Sequence, residues 1–359
     1  MTSRIADGDR PKDPGELTPE RALERFMRRR QTDVTNRTLR SYRSRLQPFI
    51  EFCEEEEIEQ IGNVTPFLID EYDLQLCGRE LAPTTIKGHL TTLRVFLSYC
   101  EGIGVVDDGV ADSVSPPSLD AHEEKSEERL AAEDAMAALQ FFRESRSHFG
   151  VPMHAFLEVA WYTGARMGSL RGLDLDDYDA DEQFVAFRHR APATPLKNKQ
   201  QGERLVGLAD SVCEALETYI ARERSDKRDE FGRRPLFCGR QGRASFSTLR
   251  AWSYQAPRPC LWTECPHGKR SPTCTWTEHG EASKCPLSRS PHRVRTGSIT
   301  WQLNRGFDIE TVPTRVNAAP STIRRYYDAT TQQEEFEQRR QDVEIILDNS
   351  QADDNDESV

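Results

Sequence analysis

Two groups of residues in this chain have types and spacings that could do chemistry. The first is a bunch of thiols, Cys260, Cys265, Cys274 and Cys285, with His267 and His279 among them. Thiolates spaced in this way in a short polar loop can close a tetrahedral zinc site, with all four cysteines as ligands and His267 or His279 able to replace one. A closed four-thiolate site leaves no open coordination position, so such a metal would be structural, and the spacing is not that of a standard finger. The surrounding segment, 258–287, has prolines and little apolar content, so it is expected to be floppy without a staple. The competing reading is four free surface thiols. The second group is dispersed: Arg166, the pair His292 and Arg295, and the tandem Tyr326 and Tyr327. Arginine forks bind phosphate, histidine moves protons near neutral pH, and tyrosine can attack as a nucleophile. Singly each has an ordinary explanation, a surface ion pair for an arginine at a helix start or helix packing for adjacent tyrosines.

With their neighbours, these dispersed positions resemble one family. Thr163-Gly164-Ala165-Arg166-Met167-Gly168-Ser169-Leu170 resembles the first arginine box of tyrosine recombinases of the phage-integrase type. Pro291-His292-Arg293-Val294-Arg295-Thr296 resembles their His-x-x-Arg box, and Ser321-Thr322-Ile323-Arg324-Arg325-Tyr326-Tyr327-Asp328 their tyrosine box. Between the last two, Gly306-Phe307-Asp308-Ile309-Glu310-Thr311-Val312 resembles the family's turn into the helix before the tyrosine. Any one box is common by chance; the order and spacing of all four make the resemblance, which covers about 18–330.

The resemblance implies strand cleavage through a 3′-phosphotyrosine, and the chemistry explains the residue types. Attack on a phosphodiester builds negative charge on the non-bridging oxygens, which the guanidinium forks of Arg166 and Arg295 would neutralise. A phenol of pKa about 10 must lose its proton to attack, and His292 can take it. In the family the acid for the departing 5′-hydroxyl is a lysine on the turn between two strands. Here that turn offers Lys197 and Lys199, and Lys197 is the expected acid, with a solvated hairpin tip as the bland alternative. Tyr327, followed by Asp328, is the better match for the nucleophile, with Tyr326 as the alternative; on a helix the two point about 100° apart. Two positions depart from the family pattern. Asn317 stands where a second histidine or a tryptophan is common, and an amide can donate a hydrogen bond to a phosphoryl oxygen but supplies no proton. Ser169 replaces a carboxylate that often follows the first arginine. Neither ATP nor a catalytic metal is implied.

The elements that must position these residues fall into two parts, as a chain of 359 residues predicts. The fold class expected is mainly α with a small β-sheet: a helical, SAM-like core-binding domain and an α/β catalytic domain. From Thr18 to Gly104 apolar residues recur at helical spacing, Leu39, Tyr42, Leu46, Phe49, Ile50 and Cys53 in one helix and Ile86, Leu90, Leu93, Leu97 and Cys100 in another. The second of these has Thr84 as its expected N-cap after Pro83 and Gly102 as its stop. Their polar faces carry Arg37, Arg40, Arg43, Arg45, Lys87, His89 and Arg94; of these Arg40, Arg43, Lys87 and Arg94 are the candidate DNA contacts, against the plain reading of a solvated face. The expected boundaries are a flexible terminus over 1–17, the helical domain over 18–106, an exposed linker over 107–128, the catalytic domain over 129–331 with the cysteine insertion inside it, and an acidic tail over 332–359 that includes one more helical pattern. Helices are expected over Ala131–Arg143, Met153–Thr163 and from Ser211 to about Lys227, and strands over Gln183–His189 and Arg204–Leu208.

Composition sets the frame. The formal net charge of −12 weighs against a nucleic-acid partner only on average, because the acids are concentrated at Glu54–Glu57, Asp174–Asp181 and the tail after Gln332, while arginines cluster elsewhere. A charged fraction of 30% with an apolar fraction of 36% also suits a cytoplasm of very high salt, and the insertion resembles an archaeal branch of integrases. No apolar run is long enough to span a bilayer and Met1–Glu20 has no signal-peptide core, so an intracellular, reducing compartment is expected for the nine cysteines. The reading is therefore a DNA recombinase that closes on double-stranded DNA and, as the resemblance implies, assembles as a tetramer on two sites. The alternatives are an integrase-like DNA-binding protein without turnover and, less well supported, a zinc hydrolase.

Overall fold

A computed structural model of the protein describes residues 16–119, 128–269, 273–278 and 280–327, with the backbone alone for Arg325, Tyr326 and Tyr327. The chain forms two compact units that divide between Glu127 and Glu128.

The first unit is helical: α1 (Pro19–Arg30), α2 (Asn36–Glu55), α3 (Pro66–Cys77), α4 (Pro83–Gly102) and the short α5 (Val110–Ser113). Threonines start three of these helices. The hydroxyls of Thr18, Thr35 and Thr65 accept from the amides of Arg21, Thr38 and Leu68, satisfying donors that a helix start leaves open. The apolar stripes of α1, α2 and α4 meet around Phe26, whose ring lies 5.5 Å from that of Phe96. Two expectations are corrected here. α4 begins two residues earlier than the Thr84 cap requires: Pro83 is its first residue, suited there because it has no amide to leave unbonded, and Ala82 is the N-cap. Gly102 is the last helical residue and Ile103 the C-cap. The stretch from Asp107 is also no exposed linker at its start, because α5 packs on α4 and Val110, Ala111 and Val114 join the buried core.

The second unit contains α6 (Ala132–Glu144), α7 (Pro152–Thr163), α8 (Met167–Gly172), β1 (Tyr178–Asp179), β2 (Phe184–Phe187), β3 (Arg204–Gly207), α9 (Asp210–Arg222), β4 (Cys238–Gly239), β5 (Gly242–Arg243), α10 (Phe246–Gln255), α11 (Pro291–Asn304), α12 (Thr311–Val316) and α13 (Pro320–Tyr327). The sheet order is β1-β2-β3, antiparallel, with Phe187 opposite Arg204 and Val185 opposite Val206; β4 and β5 form a separate small hairpin. α7 is buried on nearly all sides and packs against α9, α10 and α11, with Trp161 fully enclosed. Gly164 ends it with φ +57°, and a Cβ there would meet Val316 Cγ1 at 2.9 Å, so both backbone angle and space select glycine. A smaller core of Ile299, Val312, Val316 and Ile323 ties α11, α12 and α13 together. Fully burying a side chain of the size of Ile323 contributes about 1.5–3 kcal/mol, which seats α13 on its neighbours.

The tail over 332–359, its expected helix and most of the flexible terminus lie outside the described residues. No helix among the described residues is long and apolar enough to cross a membrane.

Candidate active site

Three helix junctions converge on one turn. At the first, α7 ends at Gly164 and the chain runs through Arg166, the N-cap of α8, into that helix. At the second, Ser290 caps α11 through the amide of Arg293 and Pro291 occupies its first turn, so His292 and Arg295 lie three residues apart on one helix face. The third is the turn after α12, where Asn317 takes the left-handed conformation with φ +53° and leads to α13.

Arginines hold this third junction from several directions. The guanidinium of Arg295 is buried and donates from Nη1 to the carbonyls of Gly164 (2.6 Å) and Val316 (2.7 Å), joining the C-terminal ends of α7 and α12. Arg166 donates to the carbonyl of Asn317. Arg204, at the start of β3, donates from Nε to the carbonyl of Arg315 at 2.7 Å. Three successive carbonyls, 315 to 317, thus each accept from a different arginine. Carbonyls at a helix C-terminus lack intrahelical partners and carry partial negative charge, so cations are stabilised there. Arg315 itself donates to the carbonyls of Tyr162 (2.9 Å) and Gly207 (3.0 Å).

The β2–β3 connection brings Lys197 to the same place. Its approach is built by His189, whose Nδ1 accepts from the amide of Leu196 at 3.0 Å, and by the burial of Leu196. Lys197 follows directly and is exposed. Next to it, Asn198 donates from Nδ2 to Oδ1 of Asn317 at 2.7 Å. His292 feels this convergence. Loss of hydration, then the positive charges of Arg295, Arg166 and Lys197, hold its pKa below the usual 6.5. The ring still meets solvent, so the three charges are the specific part of that effect and the neutral imidazole is the favoured form at neutral pH.

The structure therefore brings Arg166, Lys197, His292, Arg295 and Asn317 together. Lys199, at φ +49°, opens the 3-10 turn Lys199–Gly202 and is not among the charges acting on His292. Tyr326 and Tyr327 are the last two residues of α13, and their side chains lie outside the described residues. Ser169 is buried in α8. In the first unit Arg40 and Arg43 are exposed on α2, Lys87 is half-buried on α4, and Arg94 pairs with Asp112 at 2.6 Å. Two arginines of the site, Arg204 and Arg315, were not singled out in the sequence. One signal was present for Arg204: it alternates with buried Val206 along β3 and so shares its inward face.

The cysteine insertion needs a correction. It does not lack packing: Leu261 and Trp262 pack against the main core, Trp262 lies 6.3 Å from Phe141, and the Arg258 guanidinium donates to the carbonyl of Trp276 at 3.0 Å. Cys285 is buried and Cys260, Cys265 and Cys274 are half-buried; among the described residues no three His, Cys, Asp or Glu side chains are grouped closely enough to hold a metal. His279 lies outside the described residues.

Comparison with known proteins agrees with this geometry. The profile of the phage integrase family matches residues 128–333, and that of the phage integrase N-terminal SAM-like domain matches 23–102. The chain belongs to the phage integrase family. It is a tyrosine recombinase, an enzyme class that transfers DNA strands through a tyrosine nucleophile. A similar curated relative is tyrosine recombinase XerD of Mycobacterium leprae, 25% identical over 313 residues that cover 84% of this chain and 89% of the relative. Tyrosine recombinase XerC of Thermodesulfovibrio yellowstonii is 28% identical over 212 residues, 58% of this chain and 64% of the relative. Among solved structures, the Tn1549 transposon integrase in complex with a circular intermediate DNA matches with a TM-score of 0.63 at 15% identity, covering 90% of this chain and 99% of that one. A lambda integrase dimer bound to a COC′ core site matches with a TM-score of 0.59 at 13% identity, covering 89% and 79%. At these identities the structural likenesses establish the fold, which this integrase chain shares along both units.

Proposed function

We propose that Arg166, Lys197, His292, Arg295 and Tyr327 form the strand-cleaving centre, acting on double-stranded DNA, with the first unit as its core-binding domain. The observation that carries this reading is the convergence of the Arg166 and Arg295 guanidinium groups, and of Asn198 beside Lys197, on the turn at Val316 and Asn317. In the first step Tyr327 Oη attacks phosphorus and gives its proton to His292. The P–O5′ bond breaks, Lys197 protonates the departing oxygen, and a 3′-phosphotyrosine remains. An incoming 5′-hydroxyl reverses these steps and rejoins the strand. Arg166 and Arg295 neutralise the charge that builds on the non-bridging oxygens. Lys197 is preferred to Lys199 because its charge reaches His292. Asn317 contributes by its hydrogen bonds to the turn ahead of α13.

Nicked suicide duplexes carrying the cognate site test the assignment. Wild type and Tyr326→Phe should give a covalent protein–DNA band, and Tyr327→Phe should give none. A band lost with Tyr326→Phe alone would move the nucleophile by one residue, and no band from wild type on a proven cognate site would favour the DNA-binding protein without turnover.

Recombination between two sites requires a homo-oligomer on DNA, a tetramer by the exchange of four strands; the lambda relative was solved as a DNA-bound dimer. The place of action proposed is the cytoplasm, of high salt given the acid-rich composition, and a thermal midpoint that fails to rise from about 0.1 to 2 M KCl would count against the halophilic part.

For the insertion we keep a structural Zn2+ held by Cys260, Cys265, Cys274 and Cys285, with His267 or His279 as substitutes. Its support is the donor chemistry and the sequence spacing of the four cysteines. Purified protein should carry about one zinc per chain, and chelation should lower its melting temperature without abolishing cleavage. Metal-free protein with an unchanged melting temperature would remove the metal from the description.

A further inference from the structure

The hairpin that carries Lys197 is stitched to the turn ahead of α13 at several points. From β3, Arg204 Nε donates to the carbonyl of Arg315 at 2.7 Å while its Nη1 donates back to the carbonyl of Gly202 in the same hairpin at 3.0 Å. From the loop, Asn198 donates to the Asn317 side chain at 2.7 Å. In the opposite direction Arg315 donates to the carbonyl of Gly207, the last residue of β3, at 3.0 Å. The contact is close as well as bonded: a Cβ on Gly202 would stand 2.5 Å from Nδ2 of Asn317. Arg204 is held in this pose by the Phe187 ring opposite it on β2, 4.1 Å from the guanidinium carbon.

Such an arrangement is expensive for an arginine. Its Nη2 is buried without a hydrogen-bond partner among the described residues. Burial, then the neighbouring charges of Arg166 and Arg315, lower its pKa to about 10, and no carboxylate contributes to that balance. A cation desolvated beside two other cations is costly to hold, and its bonds to the carbonyls of Gly202 and Arg315 tie the hairpin to the turn.

We infer that Arg204 is a positioning residue that latches the Lys197 hairpin to the turn ahead of α13, so that the acid and the nucleophile helix are presented to one phosphate as a single unit. The inference rests on the assignment of Lys197 as the acid. Opening the latch lets the hairpin drift and withdraws the proton donor, while Arg295 keeps its anchors on the carbonyls of Gly164 and Val316 and Arg166 its own on the carbonyl of Asn317. The defect should therefore be one of leaving-group protonation.

That signature is measurable with two substrates, one with an ordinary scissile phosphodiester and one with a 5′-bridging phosphorothiolate, whose thiolate leaves without needing a proton. Single-turnover rates of covalent-complex formation are compared at saturating DNA for the full chain. Arg204→Gln should slow cleavage of the ordinary substrate about 10–100-fold, leave DNA affinity within about threefold, and slow the thiolate substrate less than about threefold, in line with the usual worth of a positioned acid. Asn198→Ala, which opens the other stitch and leaves Arg204 intact, should show the same pattern with a smaller loss, and it carries the test if Arg204→Gln does not fold. Equal losses on the two substrates, or no loss on either, would overturn the latch. Lys197→Ala serves as the reference: if the thiolate fails to relieve its defect, the acid assignment itself is wrong, whereas relief for Lys197→Ala without relief for Arg204→Gln and Asn198→Ala removes the latch alone.

Discussion

Two groups of arginines in the second unit lie within one fold and are held by different kinds of acceptor. Around β1, β4 and β5, Arg190, Arg233 and Arg243 each meet carboxylates. Arg190 forks onto Asp177 at 2.8 and 2.6 Å, Arg233 reaches Asp174 and Asp229 at 3.3 Å each, and Arg243 reaches Asp229 at 2.8 Å and also Asp174. These pairs have matching effects on titration. The bond to Asp177 raises the pKa of Arg190, and the Arg233 amide and Arg243 guanidinium outweigh burial in lowering that of Asp229. Around the turn at Asn317, by contrast, Arg166, Arg204, Arg295 and Arg315 each donate to main-chain carbonyls. Carbonyls orient a guanidinium without cancelling its charge, and His292 is pushed toward its neutral form by that charge. Carboxylate pairing builds a scaffold; carbonyl capping keeps a positive field available for an anionic substrate.

The comparison is broken most severely at Arg295. Arg295→Ala removes the guanidinium proposed to meet the phosphate and orphans the carbonyls of Gly164 and Val316, so it should slow covalent-complex formation by about 10²–10³-fold or more. It should also lower stability by about 2–4 kcal/mol in urea unfolding. A variant with near-wild-type cleavage would show that carbonyl capping marks no functional field. The converse case is Asp177→Ala, which removes the closer carboxylate from Arg190 and leaves Asp174 at 3.5 Å. Stability should fall by about 1–3 kcal/mol, discounted because Arg190 is still 24% exposed. Cleavage by the folded fraction at saturating DNA should stay within about fivefold; a large catalytic loss with intact folding would erase the distinction between the two groups.

Titration sharpens the same contrast. In the free protein the His292 imidazole should titrate below 6.5, because its positive neighbours oppose a further proton, and its pKa should rise when a DNA phosphate offsets them. Nitrogen-15 NMR of the ring with and without DNA reads both. The sign for stability follows: the unfolded chain takes up the proton first, so the contribution is fully present above 6.5 and is lost as pH falls from there through the folded-state value. A midpoint at or above 6.5 in the free protein would mean the arginine field does not reach the ring.

Much of this was legible in the sequence, for identifiable reasons. Gly164 ends α7, the alternation in Phe184–Phe187 and Arg204–Gly207 marks the hairpin, and the first arginine box and the His-x-x-Arg box mark Arg166, His292 and Arg295, which the fold brings together. The two-residue strands β1, β4 and β5 are too short to carry a period. Arg204 and Arg315 escaped because arginine is a surface residue by default, and their partners are carbonyls, which sequence does not reveal. Val110, Ala111 and Val114 escaped because glycines and prolines around them read as a linker, while their burial depends on α4. The insertion read as loose because Trp262 and Leu261 were weighed within it and not against the core they join.

The smallest effects test whether the distinction extends to the first unit. Arg40 and Arg43 are exposed on α2, whereas Arg94 on α4 is occupied by Asp112 at 2.6 Å. A cation that neutralises a DNA phosphate releases a counterion, so its loss lowers the slope of log K against log salt by about 0.9. Arg40→Ala and Arg43→Ala should each change the slope by about that amount. Arg94→Ala should change it less, because binding DNA would first have to part Arg94 from its carboxylate, and the exposed pair itself is worth only about 0–1 kcal/mol. Asp112→Ala then becomes the deciding variant. If pairing is what withholds Arg94 from DNA, this substitution should tighten binding and steepen the slope; an unchanged slope would mean that the face of α4 around Arg94 makes no phosphate contact, whatever its partner.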